Sequence, residues 1–260
     1  MAAFEIIFEN IHIYMYVFAR LAAILLFNPV FSRTNIPAAV RTALVLFSTI
    51  IIAPIVPAGS QDTAFIDVML GLGREFLVGF SLTFVFNIYY YMLMFAADVM
   101  DTQFGMSMAK VMDPQTRIQT AVTGGLVNVV FMLYFFATNS HLELIGTAAG
   151  SFLVIPPGAA SISLKHAAEY AFTIFSSVFL LAIRLALPFV AAEFVLEVCM
   201  GILMKLIPQI HVFVIHMQGK ILLGILLLLV LAAPITSFID NYIADWVTTM
   251  RNMLFALGGK

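Results

Sequence analysis

The chain has 260 residues, 63% of them hydrophobic and only 10% charged, with a formal net charge of −2 and a mean hydropathy of +1.07. Soluble domains are about a quarter charged, so a soluble enzyme is excluded. Twelve basic and 14 acidic residues, with no like-charged block, exclude a nucleic-acid-binding surface.

Six apolar segments approach the length of about 20 residues that a helix needs to cross the hydrocarbon. They run over about 11–27, 43–57, 68–97, 118–138, 170–200 and 211–238. The first contains Arg20, the second ends at Pro54 and Pro57, and the third opens with Gly71, Gly73, Arg74 and Glu75. The fourth is uncharged around Gly124 and Gly125. The fifth carries Arg184, Pro188, Glu193 and Glu197, and the sixth holds Lys220 ahead of a leucine-rich run. Between them, 139–169 reads as a mixed connection with a turn at Pro156-Pro157-Gly158. Lysine and arginine in 28–42, 98–117 and 201–210 place those connections on the cytoplasmic side and the N-terminus outside. Glu5 and Glu9 stand where a secretory signal would carry Lys or Arg. Cys199, the single cysteine, lies among apolar residues and is expected to pack. The expected fold is all-α, a polytopic set of membrane-associated helical hairpins forming one domain over 1–260.

Charges inside apolar runs are costly, about 2.5–3.5 kcal/mol each at a helix centre. Arg74 and Glu75 read as helix-end residues whose heads reach the interface. Arg184 has apolar sequence on both sides, which implies that its helix faces protein or water. Glu193 and Glu197 are four apart and repel on one helix face. Acid–base work would need a polar pocket around them; otherwise Arg184, Lys205 or another chain is expected to satisfy them. Lys220 stands alone before ILLGILLLLVLAA and is expected to meet a carboxylate or helix-terminal carbonyls. His211 and His216 are five apart, roughly 140° on a helix, a poor metal pair. No nucleophile elbow, phosphate loop or zinc spacing occurs, so no catalytic residue, cofactor or metal is expected. A secondary transporter would carry an inverted repeat, and the chain shows none.

The richest stretch is Gln103 to Arg117, QFGMSMAKVMDPQTR. Asp98 and Asp101 precede it on one helix face. Gly105 permits a left-handed backbone. Met106, Met108 and Met112 adapt to changing partners, and Asp113-Pro114 marks a turn or helix start. Phenylalanine and methionine in such a loop point to a buried or occluding role. A second polar interruption, IPQIHVFVIHMQGKILLG, spans Ile207 to Gly224.

The chain resembles the FliR/SpaR/SctT family of type III secretion export-gate subunits over about residues 10–240. The matching stretches are Arg20 with Asn28-Pro29, Ile36-Pro37 with Arg41, Pro54, Gly73-Arg74-Glu75 with Gly79, and Asp101-xx-Phe104-Gly105-Met106-Ser107 with Asp113-Pro114. Ser151-Phe152 with Pro156, Leu187-Pro188, Gly201, and Pro208-Gln209 with Val212-Phe213 and Lys220 complete the series. Departures are His211 in place of the usual asparagine, His216 and Gln218-Gly219 before the lysine, and Asn139-Ser140-His141 where Gly-His is common. The resemblance implies a non-enzymatic subunit in a helical assembly with FliP- and FliQ-like subunits, alongside FlhB- and FlhA-like proteins. That assembly would pass unfolded secreted proteins across the bacterial inner membrane at the flagellar basal body. An injectisome subunit is the alternative. The resemblance further implies a pore plug formed by Gln103, Phe104, Gly105, Met106, Ser107, Met108 and Met112. It implies a motif turn at Pro208, Gln209 and Phe213. Charges within apolar sequence can pair between subunits, so Arg74, Glu75, Arg184, Glu193, Glu197 and Lys220 are expected to serve assembly.

Overall fold

A computed structural model of the chain describes residues 11–33, 36–57, 65–106, 111–112, 119–120, 122–158, 163–207 and 212–258. Eight α-helices account for most of them: α1 (Ile11–Leu26), α2 (Ala38–Ile52), α3 (Phe65–Gln103), α4 (Val122–Ala137), α5 (Ser140–Val154), α6 (Leu164–Leu206), α7 (Val212–Val230) and α8 (Ala232–Leu257). The described residues are all-α apart from one short ladder, in which β1 (Val111–Met112) pairs antiparallel with β2 (Gln119–Thr120).

Local chemistry sets the breaks. Pro37 is extended before α2, where its missing N–H is no loss. Pro54 opens a single 3₁₀ turn at Ala53–Ile55 that ends the same run. Asn139 takes a left-handed conformation, φ 58°, which a short polar side chain tolerates. It separates α4 from α5. Pro188 lies inside α6 and deprives the Arg184 carbonyl of its helical N–H partner.

Three helical runs among the described residues are long and apolar enough to cross a membrane: Ala38–Ile55, Phe65–Gln103 and Lys165–Leu206. There are up to five if the bent pairs α4–α5 and α7–α8 each count as one span. The six segments read from the sequence are thus revised. Helix α1 has 16 residues, roughly 24 Å at 1.5 Å per residue, short of about 30 Å of hydrocarbon. The connection 139–169 contains the whole of α5. The sixth segment breaks at Leu231 and continues as α8, whose buried face (Ile239, Tyr242, Ile243, Trp246, Met250, Met253) recurs every three or four residues.

The chain divides into two compact units. In the first (1–88, 139–175, 245–260), α1, the start of α3 and α5 enclose Tyr16, Leu21, Leu82 and Phe152, and Trp246 meets Phe86 edge to face at 5.0 Å. In the second (89–138, 176–244), the end of α3 packs with α4, α6 and α7 around Leu93, Met100, Phe104, Phe135 and Phe189. The Tyr242 hydroxyl there donates to the Tyr89 carbonyl at 2.8 Å.

Candidate functional site

In the first unit a buried ion pair ties three helices together. The Arg20 Nε on α1 donates to Glu75 Oε2 on α3 at 2.6 Å, and both side chains are fully buried. Its Nη1 donates to the Ser151 hydroxyl at 3.0 Å. Its Nη2 donates to the Ile155 carbonyl at 2.9 Å, just past the end of α5. The Gly158 amide donates to the other Glu75 oxygen at 3.1 Å. The Phe152 ring lies 4.2 Å from the guanidinium carbon, close enough for a cation–π contact. Every arm of the guanidinium is engaged, the condition under which burying a charge is tolerated. This overturns the expectation for Glu75, which is no interfacial helix-end residue. Arg74 beside it is exposed, because adjacent residues on a helix point about 100° apart. The sequence signal available was the matched order of Arg20 and Gly73-Arg74-Glu75; their pairing was missed.

In the second unit the end of α3 is fastened from two sides. Asp101 is fully buried. Both its oxygens accept the Thr123 amide at 3.1 Å, and one also accepts the Thr123 hydroxyl. A carboxylate at the first turn of α4 satisfies an orphan amide and complements the helix dipole. Phe104 follows, fully buried, with its ring edge-to-face on Phe189 of α6 at 5.7 Å. On its other side lies Gly224 of α7, where a Cβ would stand 2.6 Å from the ring. Only glycine leaves room there. Gly105 then turns the chain out with φ 71°, which glycine adopts without strain.

These contacts revise the reading of Gln103 to Met112. Gln103 is the last residue of α3, and Phe104 is a core residue that cannot offer its ring as an occluding surface. Gly105 and Met106 are partly exposed. Met112 has its backbone in β1. Ser107 and Met108 lie outside the described residues, as do Pro208 and Gln209. Phe213 belongs to α7.

One turn beyond the Phe104 seat lie the charges of α6 and α7. Lys220 Nζ donates to Glu197 Oε1 at 2.5 Å. Glu193 is fully buried, and neither of its oxygens has a hydrogen-bond partner among the described residues. Arg184 and Lys205, expected to serve these acids, are both exposed. Cys199 is exposed as well, not packed inside as expected, because it falls on the outer apolar face of α6 with Val195, Val198 and Ile202. Among the described residues no group of three His, Cys, Asp or Glu could hold a metal ion.

The family of bacterial export proteins, family 1, matches residues 11–246. The chain is 27% identical over 247 residues to the flagellar biosynthetic protein FliR of Bacillus subtilis (strain 168), covering 94% of the chain and 95% of the relative. It is 25% identical over 249 residues to FliR of Escherichia coli (strain K12), covering 95% and 94%. It is 28% identical over 163 residues to the Yop proteins translocation protein T of Yersinia pestis, covering 62% of each.

Proposed function

Because the chain belongs to the bacterial export proteins, family 1, we propose that it is a non-enzymatic, multi-pass subunit of a type III export gate of the flagellar kind. It assembles with FliP- and FliQ-like subunits in the bacterial inner membrane, next to FlhB- and FlhA-like proteins. Together they form the pore through which unfolded flagellar substrates leave. The observation that carries the flagellar reading is coverage. The flagellar relatives align along about 95% of both lengths, whereas the Yop translocation protein aligns along 62%. The second alignment supports the injectisome reading as the alternative.

The role proposed for 103–112 is that of the plug, with a division of labour. Phe104 is the root that fixes the segment to α6 and α7. Gly105 is the pivot. Met106, Ser107, Met108 and Met112 supply the adaptable part. The exposed apolar faces of α6 and α7, including Phe194, Leu222 and Leu229, are far larger than a soluble monomer leaves bare and suit lipid or neighbouring subunits. The test is co-expression with FliP- and FliQ-like proteins from the same genome, followed by affinity purification through this chain. The expected result is a stable complex of all three in which this chain gains thermal stability. A chain that purifies alone, monodisperse and equally stable, overturns the reading.

A further inference from the structure

Glu193 holds a position that packing within the chain does not account for. Its side chain is fully buried within the chain, yet both carboxylate oxygens lack a hydrogen-bond donor among the described residues. The charged groups that act on it are Lys220 from α7 and Glu197 from α6, and these two are already bound to each other. His216 on α7 acts on Glu197 and has a buried Nε2 with no partner among the described residues. The end of α3, which reaches α6 through Phe104, carries Asp98 and Asp101, the latter engaged at Thr123. Helix α4 has no charged residue. An ionised carboxylate left so enclosed is strongly disfavoured, and two species can relieve it: a proton, or Lys220 after a change of partner.

The register connects these charges to the seat of Phe104. Phe189, Glu193 and Glu197 follow at four-residue steps on α6, and His216, Lys220 and Gly224 do so on α7. Residues four apart share a helix face. The ring of Phe104 rests on Phe189 and Gly224, one turn from Glu193 and Lys220 respectively. A sliding of α7 along α6 that moves Lys220 therefore moves Gly224 as well.

We propose that Glu193 is a proton-binding site that sets the Phe104 latch. With the proton bound, Glu193 is neutral, Lys220 stays on Glu197 and the ring is seated. When the proton leaves to a base in the aqueous phase, the new carboxylate takes Lys220 from Glu197, and Gly224 is drawn from beneath the ring. Lys220 keeps its hydrogens and exchanges one N–H···O contact for another, so the only covalent change is the O–H of Glu193. The latch is defined by the seat of Phe104 and is independent of whether the segment beyond it closes a pore.

The test uses the full chain in lipid nanodiscs, shifted from neutral to alkaline buffer. Infrared difference spectra are expected to show loss of a carboxylic-acid carbonyl band, one that is missing at both pH values in Glu193→Gln. In a Cys199→Ser background, maleimide labelling of the thiol introduced by Met106→Cys is expected to rise several-fold more on alkalinisation when Glu193 is present than in Glu193→Gln or Lys220→Met. A wild-type chain with no alkali-sensitive band, or with a band that persists in Glu193→Gln, overturns the proton site without recourse to any folding argument. A Glu193 band accompanied by identical labelling in all backgrounds overturns its coupling to the latch.

Discussion

At the scale of single residues, two contacts carry disproportionate weight, and each can be broken selectively. Removing one partner from a buried, fully hydrogen-bonded ion pair strands the other, at about 3–5 kcal/mol. Arg20→Met should therefore lower unfolding stability in mixed micelles by that order. Adding Glu75→Leu should recover part of the loss, while the Gly158 amide and the Ile155 carbonyl stay unserved. Arg251→Met, which breaks an exposed pair with Glu143, should change little. A single mutant no weaker than Arg251→Met would show that the pair does not hold α1, α3 and α5 together. The second contact is Phe104 on Gly224. Gly224→Ala forces a Cβ into the ring, and overpacking costs about 1–3 kcal/mol. Phe104→Leu should relieve that strain in the double mutant, so the two effects should be clearly non-additive in a denaturation cycle. The charged residues show how far sequence reaches at this scale. Lys220 visibly needed an anion because nothing near it in the chain is charged, but which carboxylate answers depends on helix register. Arg20 was visible as a charge inside an apolar run, whereas Glu75 read as a helix-end residue. They are 55 positions apart, so no local pattern pairs them.

At the scale of elements, the joint between α3 and α4 is built from polar chemistry. Asp101 reaches across 22 positions to the first turn of α4, so it caps a helix to which it does not belong. Loss of a capping side chain costs about 0.5–2 kcal/mol. Asp101→Ala should fall in that range and raise hydrogen exchange at the start of α4. Asp101→Asn, which keeps one acceptor, should lose less, and equal losses would indicate that the charge matters and the acceptor does not. The long helices were legible because uninterrupted apolar sequence leaves the backbone no better way to satisfy itself in a membrane. Helix α5 was not legible. Its mixture of His141, Glu143, Gly146 and Gly150 looks like a connection, and only burial of Leu144, Ala148 and Phe152 reveals its inner face. Helix α8 was hidden differently. Its signal is a period of three to four residues in FIDNYIADWVTTMRNMLF, readable in the sequence, but it follows directly on the leucine run and a proline. Asp98 and Asp101 were rightly placed on one face, yet the cap formed by Asp101 needs the start of α4 beside it, which no local pattern specifies.

At the scale of the whole molecule, the exposed apolar faces and the anchored 103–112 segment predict opposite consequences for assembly and for tightness, so they can be separated. A conduit wide enough for an unfolded chain leaks small solutes unless something seals it, and a seal must exclude water by apolar contact. Phe104 belongs to the fold, so deleting it would confuse collapse with leakage. The informative change removes 106–110 alone, leaving the Asp101 cap, the Phe104 root and β1 in place. Assembly with FliP- and FliQ-like partners should then be unchanged in co-purification, while ion or small-dye entry into cells rises. Met106→Ser with Met108→Ser should produce a smaller rise, because it removes apolar contact at about 25 cal/mol per Å² without shortening the segment. Gly224→Ala, by unseating the root, should also raise leakage even though the segment itself is intact. An assembled complex that stays tight after deletion of 106–110 rejects the plug role. A leak from Gly224→Ala in the absence of one from the deletion would place the seal in the α6–α7 seam instead.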